Sequence, residues 1–121
     1  MKRFLVLSGL AVLAGCASSP KNIKPTYIPD TAYSSLDCQQ LGQEELKEGD
    51  TLETLTNKQR RAHKTDTWGV LALGVPLSEM TGSDVAGVLA REKGKMEAIQ
   101  RMQVAKSCPG AGAAAIPATL D

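Results

Sequence analysis

Three cysteines, one histidine and two carboxylates on apolar helix faces are the residues of this 121-residue sequence with the types and positions to do chemistry. Cys16 closes an apolar N-terminal run, and Cys38 and Cys108 bracket most of the chain beyond it, with no C-x-x-C spacing of the kind redox and zinc motifs use. His63 stands among Arg60, Arg61 and Lys64, whose charge repels a cation, so it is expected on a solvated helix face and no metal site is expected. A serine, cysteine or lysine nucleophile needs a base, and without His63 the sequence signals none. Glu48 and Glu92 fall in or near apolar stripes, where a carboxylate either pairs with Lys or Arg across an interface or reaches water from its edge. No enzyme activity, cofactor or small-molecule substrate is expected. Nor is nucleic acid, since 14 Lys and Arg against 13 Asp and Glu leave no clustered basic excess.

The elements that must position these residues begin with a secretory signal. Lys2 and Arg3 supply the positive start, residues 4–13 an apolar stretch of about ten, and small residues come next. The stretch is too short to span a bilayer as a permanent helix. Its end, Leu13-Ala14-Gly15-Cys16, resembles the lipobox of bacterial lipoproteins. That resemblance implies cleavage before Cys16 and alkylation and acylation of it; a plain signal peptide ending at a cysteine is the alternative. Several acyl chains on one residue anchor a protein far more firmly than a single chain, at about 0.8 kcal/mol per buried CH₂. Ala17 and Ser18 stand where an aspartate would mark the inner membrane, so the outer membrane is expected, on its periplasmic side.

Past the signal about 106 residues remain, one small domain. Aromatic residues make up 3% of the chain, too few for a β-sandwich, and helix formers dominate the middle, so the fold class is all-α. Residues 16–32, with three prolines and no apolar period, are expected as a flexible tether. Residues 33–108 carry a helical hairpin. Its first helix is capped near Ser34 or Ser35, with Asp37 completing the pattern, and runs to about Lys64, with a bend or break possible near Gly49. At 100° per residue Cys38, Leu41, Leu52, Leu55, Gln59 and Ala62 share a stripe. Residues 68–77, WGVLALGVPL, form the tip, either folded back as core or exposed as an interface through Trp68, Val70, Leu71 and Leu73. The second helix starts after a Ser83 cap, shows Val85, Val88, Leu89, Met96, Ile99 and Gln103 on one face, and ends near Ser107. Residues 109–121 are a low-complexity tail expected to be disordered, in which Ile116 or Leu120 is the only candidate for packing on the domain.

With Cys16 spent on lipid in an oxidising compartment, Cys38 and Cys108 remain as a pair. If the hairpin turns within residues 66–83, the arms to Cys38 and Cys108 are about 40 and 36 Å, so both thiols reach the same open end. A structural disulfide is expected, against a redox pair, a metal pair or two free thiols. The tether joins the stapled end, which would set the Trp68 tip about 40 Å from the lipid.

Tyr33-x-x-Leu36-x-Cys38-x-x-Leu41, Asp66 before the apolar segment, the run Ala90-Arg91-Glu92-Lys93-Gly94-Lys95 with Ala98-Ile99, and the closing Lys106-x-Cys108 resemble a widespread group of small bacterial lipoproteins. The paired cysteines and the Lys93-Gly94 step are the most specific part. Lys95 departs from a glutamate common in that group. The resemblance implies a stapled hairpin and no active site. A membrane-anchored envelope protein with a structural or interaction role is expected, with a possible envelope protein partner; the alternative is an accessory or regulatory subunit of a secretion, exclusion or outer-membrane assembly machine.

Overall fold

A hairpin of two antiparallel α-helices, closed at its open end by one disulfide, is what the computed structural model shows over residues 16–74, 82 and 84–111. No strand occurs among the described residues. The signal expected over residues 1–15, positions 75–77 of the apolar run, the cap expected at Ser83, and Ile116 and Leu120 in the tail lie outside them.

Helix α1 spans Cys38–Leu73 and is capped by Asp37, whose carboxylate accepts from Gln40 N–H at 2.8 Å while Gln40 Oε1 accepts from Asp37 N–H at 3.0 Å. The cap expected at Ser34 or Ser35 moves to Asp37 for a local reason. Residues 30–36 are already folded into tight turns, and both the amide and the hydroxyl of Ser34 bond to Thr31 O. No break occurs at Gly49, which stays helical within the continuous α1, with the Met96 methyl 3.9 Å from where a Cβ would stand. Past the expected end near Lys64, α1 takes in the first half of the apolar run. It stops only at Gly74, whose φ of 73° ends the helix in the left-handed region. At 1.5 Å per residue its 36 residues give a rod of about 54 Å.

Helix α2 spans Ala86–Ala105. Its first turn has no cap from its own first residue; Asp84 Oδ1 accepts from Ala86 N–H, and Gln59 of α1 reaches across to accept from Val85 N–H at 2.8 Å. The far end closes as a Schellman motif, with Cys108 N–H on Gln103 O, Ser107 N–H on Val104 O, and Ser107 at φ 52°. That reversal carries Cys108 to Cys38, with the two Cα atoms 5.4 Å apart.

Two apolar clusters hold the helices together. Toward the tip, Ile23, Leu52, Leu89 and Met96 pack together; at the stapled end, Leu41, Ile99, Met102 and Cys108 pack under Tyr33 and Leu36. Leu41, Leu52, Gln59 and Ala62 of the expected α1 stripe are buried, as are Leu89, Met96, Ile99 and Gln103 of α2. Val88 is exposed instead, and Met102 takes a core position.

The structure refines the tether. Residues 17–28 lie along the hairpin as a strap running parallel to α2, and long cations of α2 hold its carbonyls. Lys93 Nζ donates to Pro20 O (2.6 Å) and Ile23 O (2.9 Å), and Arg101 to Ile28 O (2.6 Å); beyond the strap, Lys106, just past α2, donates to Ser34 O and Leu36 O of the turns that precede α1. The guanidinium of Arg101 also lies over Tyr27, 5.4 Å from the ring centre. Pro20 and Pro25 restrict the strap before it binds, which lowers the entropy lost on ordering it. Because the strap runs from the tip to the staple, Cys16 stands at the tip end. This corrects the expected layout, in which the anchor joined the stapled end.

Candidate functional site

The start of the strap is clamped by three side chains one turn apart on α1. Ala17 is buried; its N–H donates to Asp66 Oδ2 at 2.6 Å and its carbonyl accepts from His63 Nδ1 at 2.7 Å. A carbonyl oxygen can only accept, so Nδ1 carries the proton. Gln59 completes the clamp: its Nε2 donates to Ser18 O at 3.0 Å while its Oε1 holds the first amide of α2. Gln59 and Asp66 are both fully buried, and each charge-assisted or buried bond of this kind stabilises by about 1 to 3 kcal/mol. His63 is therefore half-buried and structural, not a side chain on a solvated face. Of the clamp, Gln59 was visible in sequence as a polar residue on an apolar stripe. Asp66 and His63 were not recognisable as its partners, since they bond to backbone.

Next to the clamp the last turns of α1 are apolar and uncovered. Trp68, Leu71 and Leu73 are 73%, 76% and 68% exposed, while Val70 is half-buried. The expected tip thus divides: these three are surface residues, and Gly69 beside them is buried. Cys16, with an exposed thiol, directly precedes clamped Ala17 and so lies at the level of this end. No helix among the described residues is long and apolar enough to cross a membrane.

Midway along the hairpin, Glu48, Glu92 and Lys95 form a partly buried ionic group. Burial first, and then a hydrogen bond with Glu92, push the Glu48 carboxyl up to about 7. The same bond, with Lys95 at 2.8 Å, holds Glu92 below the ordinary carboxylate range. Glu48 is thus the proton carrier and Glu92 the anion. One oxygen of Glu48, Oε1, has no hydrogen-bond partner among the described residues. Because the folded state holds this proton more tightly than the unfolded chain, Glu48's contribution is complete below its ordinary value near 4.5 and is lost as pH rises through about 7. Glu92 acts in the opposite sense, losing its contribution as the solution is acidified. Between about pH 5 and about pH 8 the denaturation midpoint should fall in the natural chain, and Glu48→Gln should flatten the slope. A midpoint that rises over that interval would exclude a protonated Glu48.

Among the described residues no cluster of three or more His, Cys, Asp and Glu side chains could hold a metal ion. Cys38 and Cys108 are joined, and His63 and Asp66 are engaged with Ala17. Comparison with protein-family models, with curated proteins and with solved structures finds no match.

Proposed function

We propose that this chain is a lipid-anchored envelope protein that works by presenting a rigid rod to a partner in the periplasm, not by catalysis. The observation that carries this reading is the contrast at the start of the strap: the Cys16 thiol is exposed, and the next residue is buried and held by Asp66, His63 and Gln59. A lipidated residue in that position would fix the rod relative to the bilayer. The lipobox-like Leu13-Ala14-Gly15-Cys16 supplies the chemistry, and its downstream residues favour the periplasmic side of the outer membrane. The polar groups best suited to catalysis are taken up in holding the fold, which supports a structural role.

Mass spectrometry of the mature N-terminal peptide tests the anchor. A diacylglyceryl and acyl adduct on Cys16 is expected, with Cys16→Ser abolishing both the adduct and membrane fractionation. An unmodified Cys16 in a membrane fraction would remove the reading. Cross-linking in intact envelopes, followed by purification through this chain, addresses the partner: one stoichiometric protein would identify an accessory subunit of a larger machine.

A further inference from the structure

We infer that the end of α1 is a second membrane contact, inserted end-on into the headgroup region of the bilayer that takes the Cys16 lipid. The inference rests on the lipid-anchored reading and adds to it an orientation and an occupant for the uncovered apolar end.

Three observations favour a bilayer over a protein groove. Trp68, Leu71 and Leu73 are each about two-thirds or more exposed, yet they do not form a stripe. At 100° per residue Leu71 lies about 60° and Leu73 about 140° from Trp68, on opposite sides of it, so the three form a partial collar over about 200° of the helix, with half-buried Val70 on the remaining side. A collar suits a planar medium met end-on, whereas a groove or a flat protein face would cover one side only. The collar is also at the level of Cys16, because Ala17 is bonded to Asp66, two positions before Trp68 on the same helix. Acyl chains leaving Cys16 draw this end of the rod to the bilayer and not the stapled end.

Charge completes the match. Lys64 and Arg61, both exposed, share the Trp68 side of α1 and lie about 6 and 10 Å behind it along the axis. Trp68 to Leu73 spans about 7.5 Å along the axis, within the 5 to 10 Å depth at which interfacial helices bury apolar residues. With the collar at that depth, the two cations stand among anionic headgroups, and tryptophan occupies the interfacial level it favours.

Trp68 is the only tryptophan in the chain, so its fluorescence reports this site alone. The mature lipidated protein, with its Cys16 adduct verified by mass, is reconstituted on vesicles of phosphatidylethanolamine and phosphatidylglycerol and its binding confirmed by flotation. The expected result is a blue-shifted emission, loss of most acrylamide quenching, and strong quenching by brominated phospholipid. The double variant Leu71→Glu, Leu73→Glu changes only exposed side chains, and its fold is checked by circular dichroism and by the intact disulfide. It should stay anchored while bromolipid quenching of Trp68 drops severalfold. A vesicle-bound protein whose Trp68 remains open to acrylamide would overturn this inference alone. So would quenching that the double variant leaves unchanged, or a Trp68 shielded in native envelopes but not on protein-free vesicles, which would assign the collar to a protein. An unmodified Cys16 would overturn the anchor and this contact together.

Discussion

Replacing Cys108 with serine is expected to destabilise the domain by about 4 kcal/mol, which in a chain of this size approaches the whole stability of the fold. The disulfide closes a separation of 70 residues, and in the chain-entropy view a loop of that length gives close to the largest constraint a single bridge can place on the unfolded chain. The bridge also joins the cluster of Leu41, Ile99 and Met102 under Tyr33 and Leu36, so its loss frees the end where the Schellman turn positions Cys108. Denaturant titration with and without reductant measures the effect. A change below about 1 kcal/mol would show that the helix interface and strap hold the hairpin without the staple.

Gly94→Ala should destabilise by about 2 kcal/mol, although alanine in a helix interior is normally better than glycine by about 1 kcal/mol. A Cβ at Gly94 would run into the carbonyl oxygen of Thr26, stand 2.9 Å from its carbonyl carbon, and meet Ile28 Cγ1 at 3.1 Å. The first two are backbone atoms of the strap and cannot rotate aside, so the strap must lift. Lifting it breaks the bond from Thr26 N–H to Ala90 O at 2.8 Å, loosens the two bonds from Lys93, and draws Ile23 out of the tip-side core. Burial of a side chain such as Ile23 is worth about 1.5 to 3 kcal/mol, enough to outweigh the gain in helix propensity. Gly42 provides the control. Nothing lies within 4 Å of a Cβ placed there, so Gly42→Ala should stabilise by up to about 1 kcal/mol. Opposite signs at the two glycines, measured by denaturation midpoint and by hydrogen exchange at the Thr26 amide, are the expected pattern. Equal signs would mean that the strap does not press on α2.

The same two elements mark what was legible in the sequence. The hairpin was: apolar residues at helical spacing gave both core faces, and arms of similar length brought Cys38 and Cys108 to one end. Helix ends were harder. Ser34 resembled a cap but is used in the preceding turn, and Val88, on the expected face of α2, is exposed. The strap was illegible for a physical reason. An extended segment has no period, and its attachments are backbone carbonyls taken by Lys93 and Arg101, which in a sequence look like surface charges. Gly94, in the middle of a helix that would otherwise prefer alanine, was the signal that something approaches α2 closely. The clamp was half legible. Gln59 fell on the expected α1 stripe, whereas His63 was expected in solvent because of its cationic neighbours, and its Nδ1 contact with Ala17 O depends on a strap that sequence periodicity does not reveal.

The strap returns Cys16 to the Trp68 end of the rod. In an unlipidated chain beginning at Cys16, that cysteine is the one free thiol and Trp68 the one tryptophan. Energy transfer from Trp68 to a dansyl group on Cys16 therefore reports the separation without further mutation. Efficient transfer in the oxidised protein, reduced by Gly94→Ala as the strap lifts, is the predicted result. A tether leaving from the stapled end would put the pair about 40 Å apart, and transfer near zero in the natural sequence would contradict the account.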